Sequence, residues 1–373
     1  MTKKEILEVK KQFTPTNQCI TNLVTCFVSK DKEIRFLSRI PFPRLPEEEA
    51  FKYMDILRKA LSGHLGKTAF NLHLKTADSG TPQQNELLDL RGSRLNDDDQ
   101  VYAFCEKIIA SYQYDDNYLL IGAAGSYDIP GKTEEDSSSV YEYILFCICP
   151  VTLSKAELTC DMEAACVKDG IRSWAVGMPE NAFLYPAFND RCADISGALF
   201  YNRKQEMDQS QFLAAIFGAD QPMAEKEEKL QISMAFQYAE SASYETVRAF
   251  QAQAEELLAE VSDKESVSLK EAAQMLENAG MDPLYTDKYV QFFRENTGMD
   301  EICLEHITDQ KNMTVKGSDF TVKIAADRAD MVEPVMLRGR MYLAVPVSSS
   351  NVFVNGIEAK ISSLSGKERM SDA

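Results

Sequence analysis

Histidine and tryptophan are scarce in this chain of 373 residues, which has three histidines and one tryptophan. None of the histidines, His64, His73 and His306, has a Cys, Asp or Glu partner at the spacing of a zinc site. No Gly-x-Ser-x-Gly stretch occurs, so there is no nucleophile elbow of the kind that serine hydrolases use. These absences argue against zinc chemistry and against a Ser-His-Asp hydrolase.

Long apolar runs are also missing from the chain. No run approaches the roughly 20 residues that a membrane-spanning helix needs. Residues 1–13 contain lysines but lack the apolar core of a secretory signal. The nine cysteines are odd in number and scattered, which disfavours a disulfide framework. We therefore expect a soluble cytoplasmic protein with reduced thiols and no membrane association.

The charge balance is strongly acidic, with 58 Asp and Glu against 40 Lys and Arg and a formal net charge of −18. Such a surface repels phosphate backbones, so nucleic acid is an unlikely partner. Residues 1–60 are mildly basic, with 12 basic and 8 acidic residues, and leave a weaker nucleic-acid hypothesis open. Residues 208–301 hold 19 acidic and 7 basic residues, a net charge of −12. This acidic segment suits a protein partner better.

Two apolar stretches, 118–125 and 140–151, are typical of central strands. Near-continuous runs of Ile, Leu and aromatic residues, bounded by Gly, Pro and Asp, indicate strands that are covered on both faces. Helical patterns and short β-like segments surround them. We predict an α+β fold in which residues 1–206 form a mixed β-sheet domain with packed helices.

The rest of the chain changes character twice. Residues 207–300 show helical periodicity and a capping box at Ser268 and Glu271, which predicts an acidic helical middle segment. Apolar residues then alternate with polar ones, and Asn355-Gly356 is a type I′ hairpin signal. We predict a small β unit over 301–361 and a disordered tail over 362–373.

Six short motifs form a recognisable series along the chain: Leu-Ser-Gly-His-Leu-Gly-Lys at 61–67, Trp-Ala-Val-Gly-Met-Pro at 174–179, Phe-Asn-Asp-Arg at 188–191, and the stretches 127–133, 141–154 and 354–357. This series resembles a family found mainly in Firmicutes and catalogued as domain of unknown function 4317. The resemblance covers nearly the whole chain and implies a bacterial source and a cytoplasmic setting. It implies no activity and no cofactor.

One stretch, from Gly125 to Thr133, looks superficially like a phosphate-binding loop. A Walker A loop has four residues between its glycines and leads into a helix, whereas five residues separate Gly125 from Gly131. Pro130 removes a backbone donor, and an acidic, serine-rich stretch follows. The pattern therefore favours an exposed loop between strands, and we expect no nucleotide cofactor.

Carboxylates at strand ends are the remaining candidates for chemistry. Asp128, Glu142, Asp190 and Asp194, with Arg191, are placed where a rigid sheet could hold them for general acid–base or metal-assisted hydrolysis. Such residues more often form turns or ion pairs. Our leading hypothesis is a non-catalytic binding or scaffold protein that meets another protein through the acidic helical segment. The alternative is a metal-dependent hydrolase that uses these carboxylates, and whether the chain is an enzyme stays open.

Overall fold

The described part of the chain excludes several short stretches and the C-terminus. The computed structural model describes residues 1–14, 17, 19–74, 80–130, 139–156, 158–163, 165–204, 207–240, 243–260, 266–308, 312–345, 351–354 and 357–360. The predicted tail 362–373 lies outside these residues, as do the predicted turn residues Asn355 and Gly356 and residues 131–138, which include the end of the predicted loop.

The described residues form α-helices between Lys3 and Ile307 and β-strands between Ile20 and Lys360. The helices are α1 (Lys3–Lys10), α2 (Glu47–Ala60), α3 (Pro82–Gly92), α4 (Asp98–Ser111), α5 (Ser210–Phe217), α6 (Glu225–Tyr238), α7 (Tyr244–Glu260), α8 (Leu269–Asn278), α9 (Pro283–Thr297) and α10 (Leu304–Ile307), with 3₁₀ turns at Phe42–Arg44 and Ala326–Met331. The strands are β1 (Ile20–Val28), β2 (Ile34–Pro41), β3 (Ala69–His73), β4 (Tyr118–Ile129), β5 (Ser139–Leu153), β6 (Leu158–Asp161), β7 (Cys166–Asp169), β8 (Trp174–Val176), β9 (Asn181–Tyr185), β10 (Ala187–Asn189), β11 (Cys192–Asp194), β12 (Gly197–Asn202), β13 (Ser266–Ser268), β14 (Glu301–Cys303), β15 (Asn312–Lys316), β16 (Thr321–Ala325), β17 (Glu333–Leu337), β18 (Arg340–Ala344), β19 (Asn351–Val354) and β20 (Ile357–Lys360).

One eight-stranded sheet organises the first part of the molecule. Its strand order is β2-β1-β4-β5-β9-β12-β3, and β8 pairs with the end of β5. The longest pairing joins β4 to β5, from Tyr118 opposite Pro150 to Ile129 opposite Ser139, which confirms the two central strands. The α+β class is confirmed as well. The prediction of a mixed sheet was wrong, because every strand pairing described within this sheet is antiparallel. Strands that follow each other, such as β1–β2 and β4–β5, return as hairpins.

Both faces of the sheet are covered, and this explains the near-continuous apolar run of β5. Side chains alternate between the faces, so Tyr143 and Leu145 join the core under α1 and α2. Ile144 and Phe146 join the opposite core, under α3, α4 and α5. Helix α5 lies beyond residue 206 and still packs on this second core, through Phe212 among others. The boundary between 206 and 207 stays a prediction.

The middle helices form a separate apolar cluster in which Phe236, Phe250 and Tyr289 pack edge to face. The predicted capping box at the start of α8 is confirmed, since the Ser268 hydroxyl accepts from the amide of Glu271 and the Glu271 carboxylate accepts from the amide of Ser268. The cluster also buries residues of α10, which follows β14. Helices α6 to α10 therefore share one core.

The chain ends in three hairpins, β15–β16, β17–β18 and β19–β20. Val354 pairs with Ile357 across the position of the predicted type I′ turn, which confirms the hairpin pairing. The described residues of these hairpins and of the 3₁₀ turn between them include few buried apolar side chains: Met313, Ala329 and Val332. The described part of this region thus consists of two-stranded hairpins with a small apolar core.

Candidate functional site

The five residues predicted from strand ends fall into two groups, one on β4 and β5 of the large sheet and one on the separate β10–β11 hairpin. Ser126 is opposite Glu142 and Asp128 is opposite Val140, so the side chains of Asp128 and Glu142 point to the same face of β4 and β5. The Glu142 carboxylate forms an ion pair with Arg94, which follows α3. Asp128 is exposed. This pair of carboxylates lies on the face that carries α3 and α4.

The other three candidates belong to the β10–β11 hairpin, whose turn holds Asp190 and Arg191 at positive φ. The Arg191 guanidinium donates to Glu8 of α1 over 3.0 Å, and the Tyr127 hydroxyl donates to the same carboxylate oxygen over 2.8 Å. Asp194 accepts from the side chain of Asn189 and from the backbone of the residue after next. These contacts tie α1 to the sheet.

Glu142, Arg191 and Asp194 are therefore each held by neighbouring residues. Within the described ranges, no group of three or more His, Cys, Asp and Glu side chains is placed to hold a metal ion. The hydrolase hypothesis gains no geometric support from these residues.

A buried ion pair joins the helical part of the molecule to the sheet. His306 of α10 and Glu228 of α6 are each 2% exposed, and Nδ1 of the histidine hydrogen-bonds to Oε2 of the carboxylate. The other ring nitrogen, Nε2, lies 2.7 Å from the carbonyl oxygen of Gly66, in the loop after α2. The Cys303 backbone amide donates to Oε1 of Glu228 over 2.9 Å. Nearby, Lys67 and Glu225 form an ion pair of 3.1 Å.

Both ring nitrogens of His306 face acceptors, an arrangement that favours the doubly protonated ring. Burial alone lowers the pKa of His306, but interactions with Cys303 and Glu228 outweigh it and raise the pKa to about 10. The ring is then an imidazolium at neutral pH and donates from both nitrogens. The ring therefore joins α6 and α10 to the loop after α2, and we call His306, Glu228 and Gly66 the anchor.

Gly66 is required at this anchor for two reasons. Its φ of +74° is unfavourable for other residues, and a Cβ there would lie 3.0 Å from Nε2 of His306 and 3.1 Å from Sγ of Cys303. The motif 61–67 contains Gly66, but the anchor cannot be predicted from it, because Glu228 lies 78 positions from His306. The available signal was a glutamate among the apolar positions of α6.

Helix α6 has an exposed apolar face opposite its anchored side. Ile232, Ala235 and Phe236 point into the helical core. Leu230, Met234 and Tyr238, spaced four residues apart and therefore on one side of the helix, are 57%, 39% and 58% exposed. We call these three residues the α6 stripe.

Two further features shape the surface around the α6 stripe. The Tyr238 ring stacks on Phe292 of α9, with ring centroids 4.9 Å apart and an interplanar angle of 28°. Exposed carboxylates flank the stripe at both ends of the helix, at Glu227 and Glu240. Lys226, one turn before the stripe, is exposed as well, so the surface is apolar along its length and carries charges of both signs at its ends.

Comparison with known proteins identifies a family but no activity. A family model described as "Domain of unknown function (DUF4317)" matches residues 1–357. A search of curated proteins finds no match to the chain. In the described residues, no helix is both long enough and apolar enough to cross a membrane.

Proposed function

Because the chain belongs to the family described as domain of unknown function 4317, whose description names no activity, we propose its function from geometry: it is a non-catalytic binding or scaffold protein. The site is the α6 stripe, and the partner is a basic amphipathic helix of another protein. The free thiols of all nine cysteines support a reducing, cytoplasmic setting.

The observation that carries this proposal is the exposure of the α6 stripe on a helix that is held firmly from its other side. The His306–Glu228 pair and the helical core fix one face of α6. The opposite face presents Leu230, Met234 and Tyr238 in register to solvent. A fixed helix with an apolar stripe offers the i, i+4, i+8 pattern that a partner helix recognises, and burial of that stripe favours association.

Charge decides which kind of helix fits. The acidic segment 208–301 has a net charge of −12, which outweighs the positive charge of Lys226 beside the stripe. A helix with apolar residues on one face and Lys or Arg beside them complements this surface. An acidic partner would be repelled, as would nucleic acid.

The test uses the full chain and a labelled peptide of about 18 residues, roughly five helical turns. The peptide has Leu on one face and Lys on the other, and a second peptide scrambles the same composition. Binding is followed by fluorescence anisotropy. We expect the amphipathic peptide to bind and the Leu230→Ser, Met234→Ser double variant to weaken binding roughly tenfold.

The matched control is Leu7→Ser, since Leu7 is also a half-exposed leucine on a helix but lies on α1, away from the acidic segment. It should leave the affinity unchanged. If the scrambled peptide binds equally well, or if the double variant binds like wild type, the stripe is not the site and the proposal fails.

A further inference from the structure

A large cleft lies on the sheet face that carries α2, far along the chain from the α6 stripe. It has a volume of about 930 Å³ and is lined by residues of β1, β2, β4, β5 and β8, with Tyr53 of α2 at one side. Pockets of 300 to 1,000 Å³ are the usual size of small-molecule sites. The cleft is independent of the proposed protein-binding surface.

Aromatic side chains form the walls of this cleft. Phe27 and Phe36 stack across β1 and β2, with ring centroids 5.7 Å apart and an interplanar angle of 11°. Phe36 is 51% exposed, and Trp174, the only tryptophan of the chain, is 56% exposed. Exposed ring faces next to a buried apolar floor, which includes Leu119, are suited to stacking against a flat ring.

One polar atom in the lining has no partner. Ser29 is 6% exposed, and its Oγ forms no hydrogen bond with any residue that the structure describes. Its backbone is satisfied, because its amide donates to the carbonyl of Glu33 and its carbonyl accepts from the amide of Lys32. A buried hydroxyl without a partner is unfavourable, and a ligand group that hydrogen-bonds to it relieves that cost.

The charged side chains that line the cleft have a net charge of zero. Lys30 and Arg35 contribute two positive charges to the lining, and Asp31 and Asp116 contribute two negative charges. Arg35 also forms an ion pair of 3.1 Å with Glu33. A ligand with a net charge would gain attraction from one pair and repulsion from the other, so the lining favours a neutral ligand.

We propose that this cleft binds a neutral, planar aromatic or heteroaromatic small molecule. Its ring lies against Phe36 and Trp174, and a hydrogen-bonding group on the ring meets Oγ of Ser29. The apolar walls supply most of the binding free energy, and the hydroxyl selects among rings of the same shape.

The test compares two rings of the same shape, quinoline and naphthalene, which differ in one nitrogen acceptor. The full chain is labelled with ¹⁵N, and the single indole N–H signal of Trp174 reports binding. We expect a saturable shift with both rings, with quinoline bound about five to ten times more tightly, which corresponds to one hydrogen bond. Ser29→Ala should abolish this preference and leave naphthalene binding unchanged.

Two controls make the test specific to the cleft. Phe36→Ala should weaken both rings, whereas Phe320→Ala, a change at a similarly exposed phenylalanine near the C-terminus, should weaken neither. Phenylacetate and phenethylammonium, one anionic and one cationic, should bind more weakly than quinoline.

Several results would overturn the proposal. The first is that the indole signal of Trp174 responds to neither ring. The second is that the wild-type chain binds quinoline and naphthalene with equal affinity. A signal that moves with protein concentration alone would show that a second copy of the chain fills the cleft.

Discussion

The central strand pair and a C-terminal strand pair have the same backbone pattern and opposite environments. β4–β5 and β17–β18 are both antiparallel hairpins with regular registers. The side chains of β4 and β5 are buried on both faces, whereas β17 and β18 are exposed at almost every position. Since the ladder hydrogen bonds form in both, we expect side-chain burial to make the central pair the more stable one.

The C-terminal hairpins depend on a few contacts instead of a layered core. Met313, Ala329 and Val332 form their small apolar cluster. The Tyr244 hydroxyl of α7 donates to the carbonyl of Val332 over 3.1 Å, which fastens this cluster to the helical segment. An isolated two-stranded hairpin is marginally stable in water, so these contacts hold the hairpins in place.

The largest expected effect is in the central sheet. Phe146 is fully buried and packs against Phe104 and Phe183, at centroid distances of 5.2 and 5.3 Å. Phe146→Ala should lower the free energy of unfolding by about 3–5 kcal/mol, measured by denaturant titration. Phe320→Ala, the exposed counterpart in the C-terminal region, should cost below about 1 kcal/mol. Similar losses for the two would contradict the contrast in burial.

The next largest effect concerns the anchor between the sheet and the helices. His306→Ala leaves the Glu228 carboxylate buried without its cation, and this should cost about 3 kcal/mol or more of unfolding free energy. His64→Ala, at an exposed histidine of the loop that contains Gly66, is the matched control. If thermal unfolding of the two variants is equal, the anchor does not couple the two regions.

The same anchor should make stability depend on pH. The pKa of His306 is raised from about 6.5 to about 10, so the folded chain holds this proton more tightly than the unfolded chain. The stabilisation is therefore complete below pH 6.5 and decreases as the pH rises toward 10. Denaturant titrations between pH 6.5 and 10 should show this decrease in wild type and a smaller one in His306→Gln. If stability falls with pH equally in wild type and in His306→Gln, the folded chain does not hold His306 as an imidazolium.

The features of the fold that depend on residues close in sequence could be predicted well. The two central strands, the capping box of α8 and the last hairpin each follow from neighbouring residues. The strand order and the all-antiparallel pairing required knowledge of which distant strands meet. No local pattern indicates, for instance, that β3 pairs with β12 at the edge of the sheet.

The candidate sites were harder to predict, for the same reason. Asp128 lies on β4 and Arg191 in the β10–β11 turn, and the period of two in β4 directs Asp128 away from Tyr127, which shares Glu8 with Arg191. The anchor unites Gly66, Glu228 and His306 from three separate parts of the chain. Neither the composition nor the spacing of these residues predicts that they lie close together.

Two helix caps offer a smaller and sharper test of how the regions unfold. Thr2 caps α1 beside the sheet, and Ser268 caps α8 in the helical segment, each with a full capping box. Thr2→Ala and Ser268→Ala should each cost about 1 kcal/mol. If the sheet and the helices unfold together, both changes shift one calorimetric transition equally. If Ser268→Ala shifts a transition that Thr2→Ala leaves in place, the regions unfold separately.

The smallest expected effect lies in β17–β18, and it tests the comparison most directly. Met336 and Met341 are opposite each other across the hairpin, and Met341 is 74% exposed. Met341→Ser removes one exposed cross-strand contact, which is worth a few tenths of a kcal/mol, so unfolding should change by at most about 0.5 kcal/mol. A loss above about 2 kcal/mol, measured in the same denaturant titration, would mean that this face is buried in solution. The C-terminal hairpins would then resemble the central sheet, with their second layer supplied by another molecule.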